Sequence, residues 1–147
     1  MKKIVIGSDH AAIEMKSAAI DYLRKLGREV IDVGATGGER VDYPDYAAKV
    51  CEAIMQDSEA SGALICGTGI GMSIAANKFN GIRAALCHDA YAASMARAHN
   101  DANVLCLGSR SIGLGAMESI IDAWLKVDFE GGRHCLRLEK IAKLETK

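Results

Sequence analysis

The 147-residue sequence has no excess of charge: 18 lysines and arginines face 19 aspartates and glutamates, a formal net charge of −1. No global basic field therefore argues for nucleic acid or an anionic membrane as a partner. No apolar run approaches the length of a transmembrane helix. The start, Met1-Lys2-Lys3-Ile4-Val5-Ile6, reaches the charged Asp9 too soon for a signal peptide, so a cytoplasmic protein is expected. The five cysteines, Cys51, Cys66, Cys87, Cys106 and Cys135, form no CxxC pair. Neither a zinc site nor, in a reducing compartment, a disulfide framework is expected. No His/Asp/Glu cluster has metal-ligand spacing, and no metal or other cofactor is expected. Internal repeats, low-complexity stretches and linkers are also missing. Half the residues are hydrophobic, which suits one domain over residues 1–147 with its own core.

What the sequence does have is alternation. Short apolar runs stand at Lys3–Ile6, Glu29–Val33, Ala63–Cys66, Ile82–Leu86 and Val104–Leu107. Several are too apolar for a wet face, as in parallel strands covered on both sides. Between them the spacing turns helical. Ala47, Val50, Cys51 and Ile54 fall at i, i+3, i+4 and i+7 behind the lone Pro44, which suits a first helical turn. Ile13, Ile20 and Leu23 mark an earlier helix that Gly27 ends, and Met117, Ile120, Ile121 and Trp124 mark a later one. A last helix is expected over His134 to Glu145, after Gly131-Gly132. The pattern predicts an α/β protein: a Rossmann-like three-layer α/β/α sandwich with a five-stranded parallel sheet and an extra C-terminal helix. Ligands of such sheets bind beyond the carboxyl ends of the strands. That rule selects Gly7 to His10, Gly34 to Tyr43, Cys66 to Gly71, Cys87 to Asp89 and Gly108 to Arg110.

The stretch "ALICGTGIGMS" is a strand, a glycine-rich turn and a helix beginning near Ile70. Gly67, Gly69 and Gly71 alternate, and Met72 follows, so the dinucleotide spacing G-x-G-x-x-G fails; the Walker G-K-[ST] is absent too. Either the turn is merely tight, or its free N–H groups cradle a negative charge. Cys66 is either the last core residue of its strand or a thiol whose thiolate is favoured by the helix start.

Other polar residues offer the same choice between structure and chemistry. Asp9 either caps a helix or, beside His10, serves acid/base or anion-binding work. His99-Asn100-Asp101 is expected in a loop after the Ala-rich helix Tyr91 to Ala98. Such a loop lies at the opposite, amino-terminal edge of the sheet, so its residues reach a Cys66 site only from a second subunit. Arg133 and Arg137, one helical turn apart, either grip a phosphate with Arg110 or pair on the surface with Glu139.

The stretches "GSDHAA", "DYPDYA", "ICGTGIGMSIAANK", "GIRAALC", "HNDANVLCLGSR" and "EGGRHCLRL" closely resemble type B ribose-5-phosphate isomerases, over nearly the whole chain. That family also includes allose-6-phosphate and galactose-6-phosphate isomerases. The resemblance implies interconversion of an aldose phosphate and a ketose phosphate, without a cofactor, in a homodimer or tetramer with shared active sites. Cys66 resembles the base that shuttles a proton between C2 and C1 through a cis-enediolate. The amides from Gly67 through Gly69 and Ile70 to Gly71 would hold that anion, with Thr68 assisting. His99 and Asp9 match residues that open the furanose ring and bind its hydroxyls; Asn100 matches a residue at the enediolate. His10, Arg110, Arg133 and Arg137 match the phosphate grip, and Tyr43 the wall of the sugar pocket. A subset of the family replaces the cysteine by a glutamate on the following helix. That helix here begins Met72-Ser73-Ile74, with no acid, so the cysteine version is implied.

Overall fold

A computed structural model describes residues 3–145. Five strands, β1 (Lys3–Ser8), β2 (Glu29–Asp32), β3 (Ala60–Cys66), β4 (Ala84–Leu86) and β5 (Val104–Gly108), form one parallel sheet in the order β2-β1-β3-β5-β4. The helices are α1 (Ile13–Lys25), α2 (Tyr43–Met55), α3 (Ile70–Ala76), α4 (Ala90–Asn100), α5 (Leu114–Lys126) and α6 (Arg133–Ala142), with a 3-10 turn at His10–Ala12. The expected α/β sandwich is the observed fold.

Side chains alternate across the strands and divide the core in two. Ile4, Ile6, Ala63, Ile65, Leu105 and Leu107 pack with α1, α4 and α5. Val5, Leu64, Cys66, Val104 and Cys106 pack with α2 and α3. Every buried strand is thus apolar on both faces, which is why the runs in the sequence lack a polar period. Two glycines admit α2 closely to its face. A Cβ on Gly62 would lie 2.8 Å from Val50 Cγ1 and 3.0 Å from Val104 Cγ2, and one on Gly7 3.0 Å from Val50 Cγ2.

Boundaries differ from the sequence expectation where small or polar residues carry the pairing. β3 starts at Ala60, three residues early, because Ala60, Ser61 and Gly62 pair with Lys3, Ile4 and Val5. β4 starts two residues late. Arg83 instead donates its N–H to Asn103 Oδ1 (2.8 Å), and its carbonyl accepts from Asn103 N–H (3.1 Å). β2 ends at Asp32, although the chain stays bonded to β1: Val33 N–H donates to Ile6 O (2.9 Å) and Ser8 N–H to Gly34 O (2.8 Å). The last helix runs from Arg133 to Ala142, not from His134 to Glu145. Among the described residues no helix is long and apolar enough to cross a membrane.

The order of the strands places the site. The connection leaving β3 enters the α2/α3 layer, whereas those leaving its neighbours β1 and β5 enter the opposite layer. The carboxyl end of β3 is therefore a switch point flanked by diverging loops, and Cys66 stands there.

Filling the Gly62 gap tests the α2 packing. Gly62→Ala is expected to destabilise the protein by about 1–3 kcal/mol through overpacking against Val50 and Val104, measured as a lower urea midpoint with unchanged slope.

Candidate active site

Two loops meet backbone to backbone beyond the sheet. Ser109 N–H donates to Cys66 O and Arg110 N–H to Gly67 O, both at 2.9 Å. The approach is closer than side chains allow. A Cβ on Gly69 would lie 2.9 Å from the Leu107 carbonyl carbon, and one on Gly108 2.6 Å from that of Thr68. Gly69 also has φ 77°, the left-handed region that glycine enters without strain. This fit turns the Gly69 N–H back onto Cys66 Sγ, which accepts it at 3.1 Å.

Around the thiol the structure gathers most of the carboxyl-edge residues. Cys66 itself is 5% exposed. Ile70 N–H donates to Thr68 Oγ1 (3.3 Å), leaving the Thr68 side chain at the surface. The first amides of α3 lie outside that helix's own ladder. The Arg110 side chain lies over Gly67, with Cδ 3.7 Å from a Cβ built there, and the Tyr43 ring covers Gly71. Asp9 is buried, and its carboxylate caps the 3-10 turn by accepting the Ala11 N–H (3.0 Å); its own N–H donates to Ile65 O (3.2 Å). Asp9 is therefore a cap, which leaves open what else its carboxylate does. His10 Nδ1 is held against the Val41 backbone, 3.2 Å from its nitrogen and 3.1 Å from its carbonyl oxygen.

His10 and Arg110 also line a cavity of about 920 Å³, with Arg40, Ser109 and Leu114. Arg40 and Ser109 were missed as individuals, although both fall in loops that the strand-edge rule selected. Ser109 Oγ donates to Ala11 O (3.1 Å), tying the β5 loop to the β1 loop. Buried Lys16 donates to Asp32 Oδ1 (2.6 Å) and Ala35 O (2.7 Å), which anchors the loop after β2.

The remaining candidates lie elsewhere. His99 and Asn100 are not in a loop: they form the last turn of α4, which ends when Asp101 adopts φ 43°. Arg97 prolongs the helix past the expected stop by gripping Asp101 Oδ1 (3.1 Å) and Ala102 O (2.6 Å). α4 runs back along the sheet, so this turn sits at the amino-terminal edge, where Arg83 Nε donates to Asn100 O (3.0 Å). There His99 stacks on His134, with ring centroids 4.3 Å apart and planes 11° from parallel. Glu130 Oε2 lies 3.9 Å from His99 Nε2 and 3.8 Å from His134 Nε2. Arg137 Nη1 approaches His134 Nδ1 at 3.4 Å. Within one chain, then, His99, Asn100, Arg133 and Arg137 are not brought to Cys66.

His99, Glu130 and His134 are the one group among the described residues whose ligand atoms could converge on a metal ion. Arg133 and Arg137 beside His134 add positive charge, which disfavours a dication there.

Three other thiols lie in the core. Burial pushes Cys51 up to about 12 and Cys87 to about 11, and holds Cys106 well above the ordinary range. All three are core groups, inert as nucleophiles.

The profile of the Ribose/Galactose Isomerase family matches residues 4–141. Ribose-5-phosphate isomerase B of Escherichia coli strain K12 is 49% identical over 147 residues, covering 100% of this chain and 99% of that protein. Among solved structures, ribose-5-phosphate isomerase B of Clostridium thermocellum superposes with a TM-score of 0.95 at 53% identity, covering 98% of this chain and 97% of that one. The type B ribose 5-phosphate isomerase of Trypanosoma brucei gives 0.93 at 48% identity, covering 98% and 99%.

Burial, and then the charges of His99, Arg133 and Arg137, lower the His134 pKa below its ordinary 6.5. The unfolded chain thus binds a proton there more readily, and stability falls as pH drops below 6.5. His134→Gln is expected to lose less melting temperature than wild type over that interval, as followed by circular dichroism.

Proposed function

The chain belongs to the ribose/galactose isomerase family, and we propose that it works with Cys66 as its base. It is an aldose–ketose isomerase that interconverts ribose 5-phosphate and ribulose 5-phosphate. The observation that carries the thiol assignment is the Gly69 N–H donated to Cys66 Sγ at 3.1 Å. That bond ties the sulfur to the glycine turn, and no acidic side chain stands on the following turn, Met72-Ser73-Ile74, to serve as base in its place.

In the reaction Cys66 takes the C2 proton of the open-chain aldose. The electrons of that C–H bond form the C1–C2 double bond, and those of the carbonyl move to O1. The cis-enediolate charge falls against the amides of residues 67 to 71, with Thr68 at their rim. Cys66 returns the proton to C1 while O2 loses its proton and becomes the ketone oxygen. O1 gains one, so the composition is unchanged. Tyr43 and Asp9 line the sugar, and His10 and Arg110 meet the phosphate. Binding the phosphate, remote from C1 and C2, orients the reacting carbons.

His99, Asn100, Arg133 and Arg137 complete this site from a second copy of the chain. His99 opens the furanose ring, Asn100 faces the enediolate and the arginines close on the phosphate. The surface supports such a partner: Tyr91 is 75% exposed, and Leu136 and Leu144 follow at 58% and 62%. Five free thiols fit a reducing cytoplasm.

Ribose 5-phosphate and allose 6-phosphate should be assayed side by side. Cys66→Ala is expected to fold and bind ribose 5-phosphate while losing about 10²–10⁴-fold in turnover; near-normal turnover would refute the thiol base. Mixing Cys66→Ala with His99→Ala is expected to recover activity through hybrid dimers, because one of the two sites is then intact. No recovery after proven subunit exchange would refute sharing.

A further inference from the structure

The His99 imidazole stands on a built seat. It lies in the last turn of α4, with about a third of its side chain exposed, where a lone ring would turn freely about its side-chain torsions. Instead it lies flat on His134, whose own ring is buried in the first turn of α6. The segment between α5 and α6 is fixed to α4 by the Glu130 N–H, which donates to Ala98 O at 3.0 Å. That bond sets the Glu130 carboxylate against the Nε2 edges of both rings, at 3.9 and 3.8 Å. His134 Nε2 is buried without a hydrogen-bond partner, an arrangement that costs stability and adds nothing to the packing of the sheet.

We propose that His134, with Glu130, is a positioning residue that fixes the plane of the His99 ring for opening of the furanose. Its own chemistry suits a support better than a proton donor. Arg137 has only donors, so at 3.4 Å it calls for a lone pair on His134 Nδ1, the neutral tautomer with its proton on Nε2. Arg133, the neighbouring His99 and burial all oppose a second charge on this ring. His134 thus serves as an uncharged plate, and His99 is the member of the stack that is left to exchange a proton with the sugar. The proposal rests on the reading of His99 as the ring-opening group.

Ring opening and proton transfer can be read separately. Ribose 5-phosphate is mostly a furanose. Ribulose 5-phosphate is acyclic, because its C5 oxygen carries the phosphate and cannot close on C2. Enzyme-dependent deuterium wash-in at C1 of ribulose 5-phosphate in heavy water therefore reports binding and proton transfer at Cys66 without ring opening, and its persistence shows that the site is folded. His134→Ala is expected to lower kcat on ribose 5-phosphate by about 10- to 100-fold, the loss that misplacement of a catalytic group brings, while wash-in stays near wild type. His134→Phe keeps a flat ring without nitrogen and is expected to recover most of the loss. Parallel loss of turnover and wash-in, or a Phe variant as defective as Ala, would overturn the proposal. His99→Ala measured in the same two assays separates the failures. If it shows the selective loss and His134→Ala does not, the seat alone is wrong; if it shows none, the role of His99 is wrong and the seat falls with it.

Discussion

The contact between the loops after β3 and β5 governs the geometry of the whole carboxyl edge. Two main chains touch there with no side chain between them, because Gly69 and Gly108 offer none. Paired amides from Ser109 and Arg110 hold them in register on Cys66 O and Gly67 O. Move either loop outward by the width of a methyl group and three things change together. The Gly69 N–H leaves the thiol, the Arg110 side chain leaves Gly67, and the turn into α3 opens. The site is rigid for the same reason that a close-packed core is rigid: the alternatives are steric overlaps.

That contact is possible only because of the strand order. β3 lies at the middle of the sheet, and its connection goes to one layer while those of β1 and β5 go to the other. Three loops consequently crowd around one strand end without competing for one face. The two-sided apolar core stiffens the platform, and glycines 7 and 62 let Val50 press α2 onto it. A thiol at the end of a buried strand is thereby kept from bulk water yet beside a backbone donor.

Much of this was legible in the sequence. The apolar runs marked all five strands, most plainly β1, β3 and β5, which are buried from both sides, and the alternation with helical spacing gave the layers. The strand-edge rule selected the loops that hold Cys66, Asp9, His10 and Arg110, and with them Arg40 and Ser109. Strand ends were less legible, since Ser61 and Gly62 pair in the ladder without an apolar signal. The end of α4 was misplaced because the grip of Arg97 on Asp101 and Ala102 adds a turn that local propensity does not encode. The His99–Glu130–His134 group was invisible for a different reason. His99 is some thirty positions from Glu130 and His134, and the bond from Glu130 to Ala98 and the ring stack bring them together only in the fold.

The loop after β2 is staked at both ends. Lys16 holds Ala35 from beneath, and the Val41 amide is fastened to His10. Between the stakes Gly37 and Gly38 stand in open space. Chain length there can change without dragging His10 or the sheet, so the stretch acts like an adjustable awning over a fixed doorway.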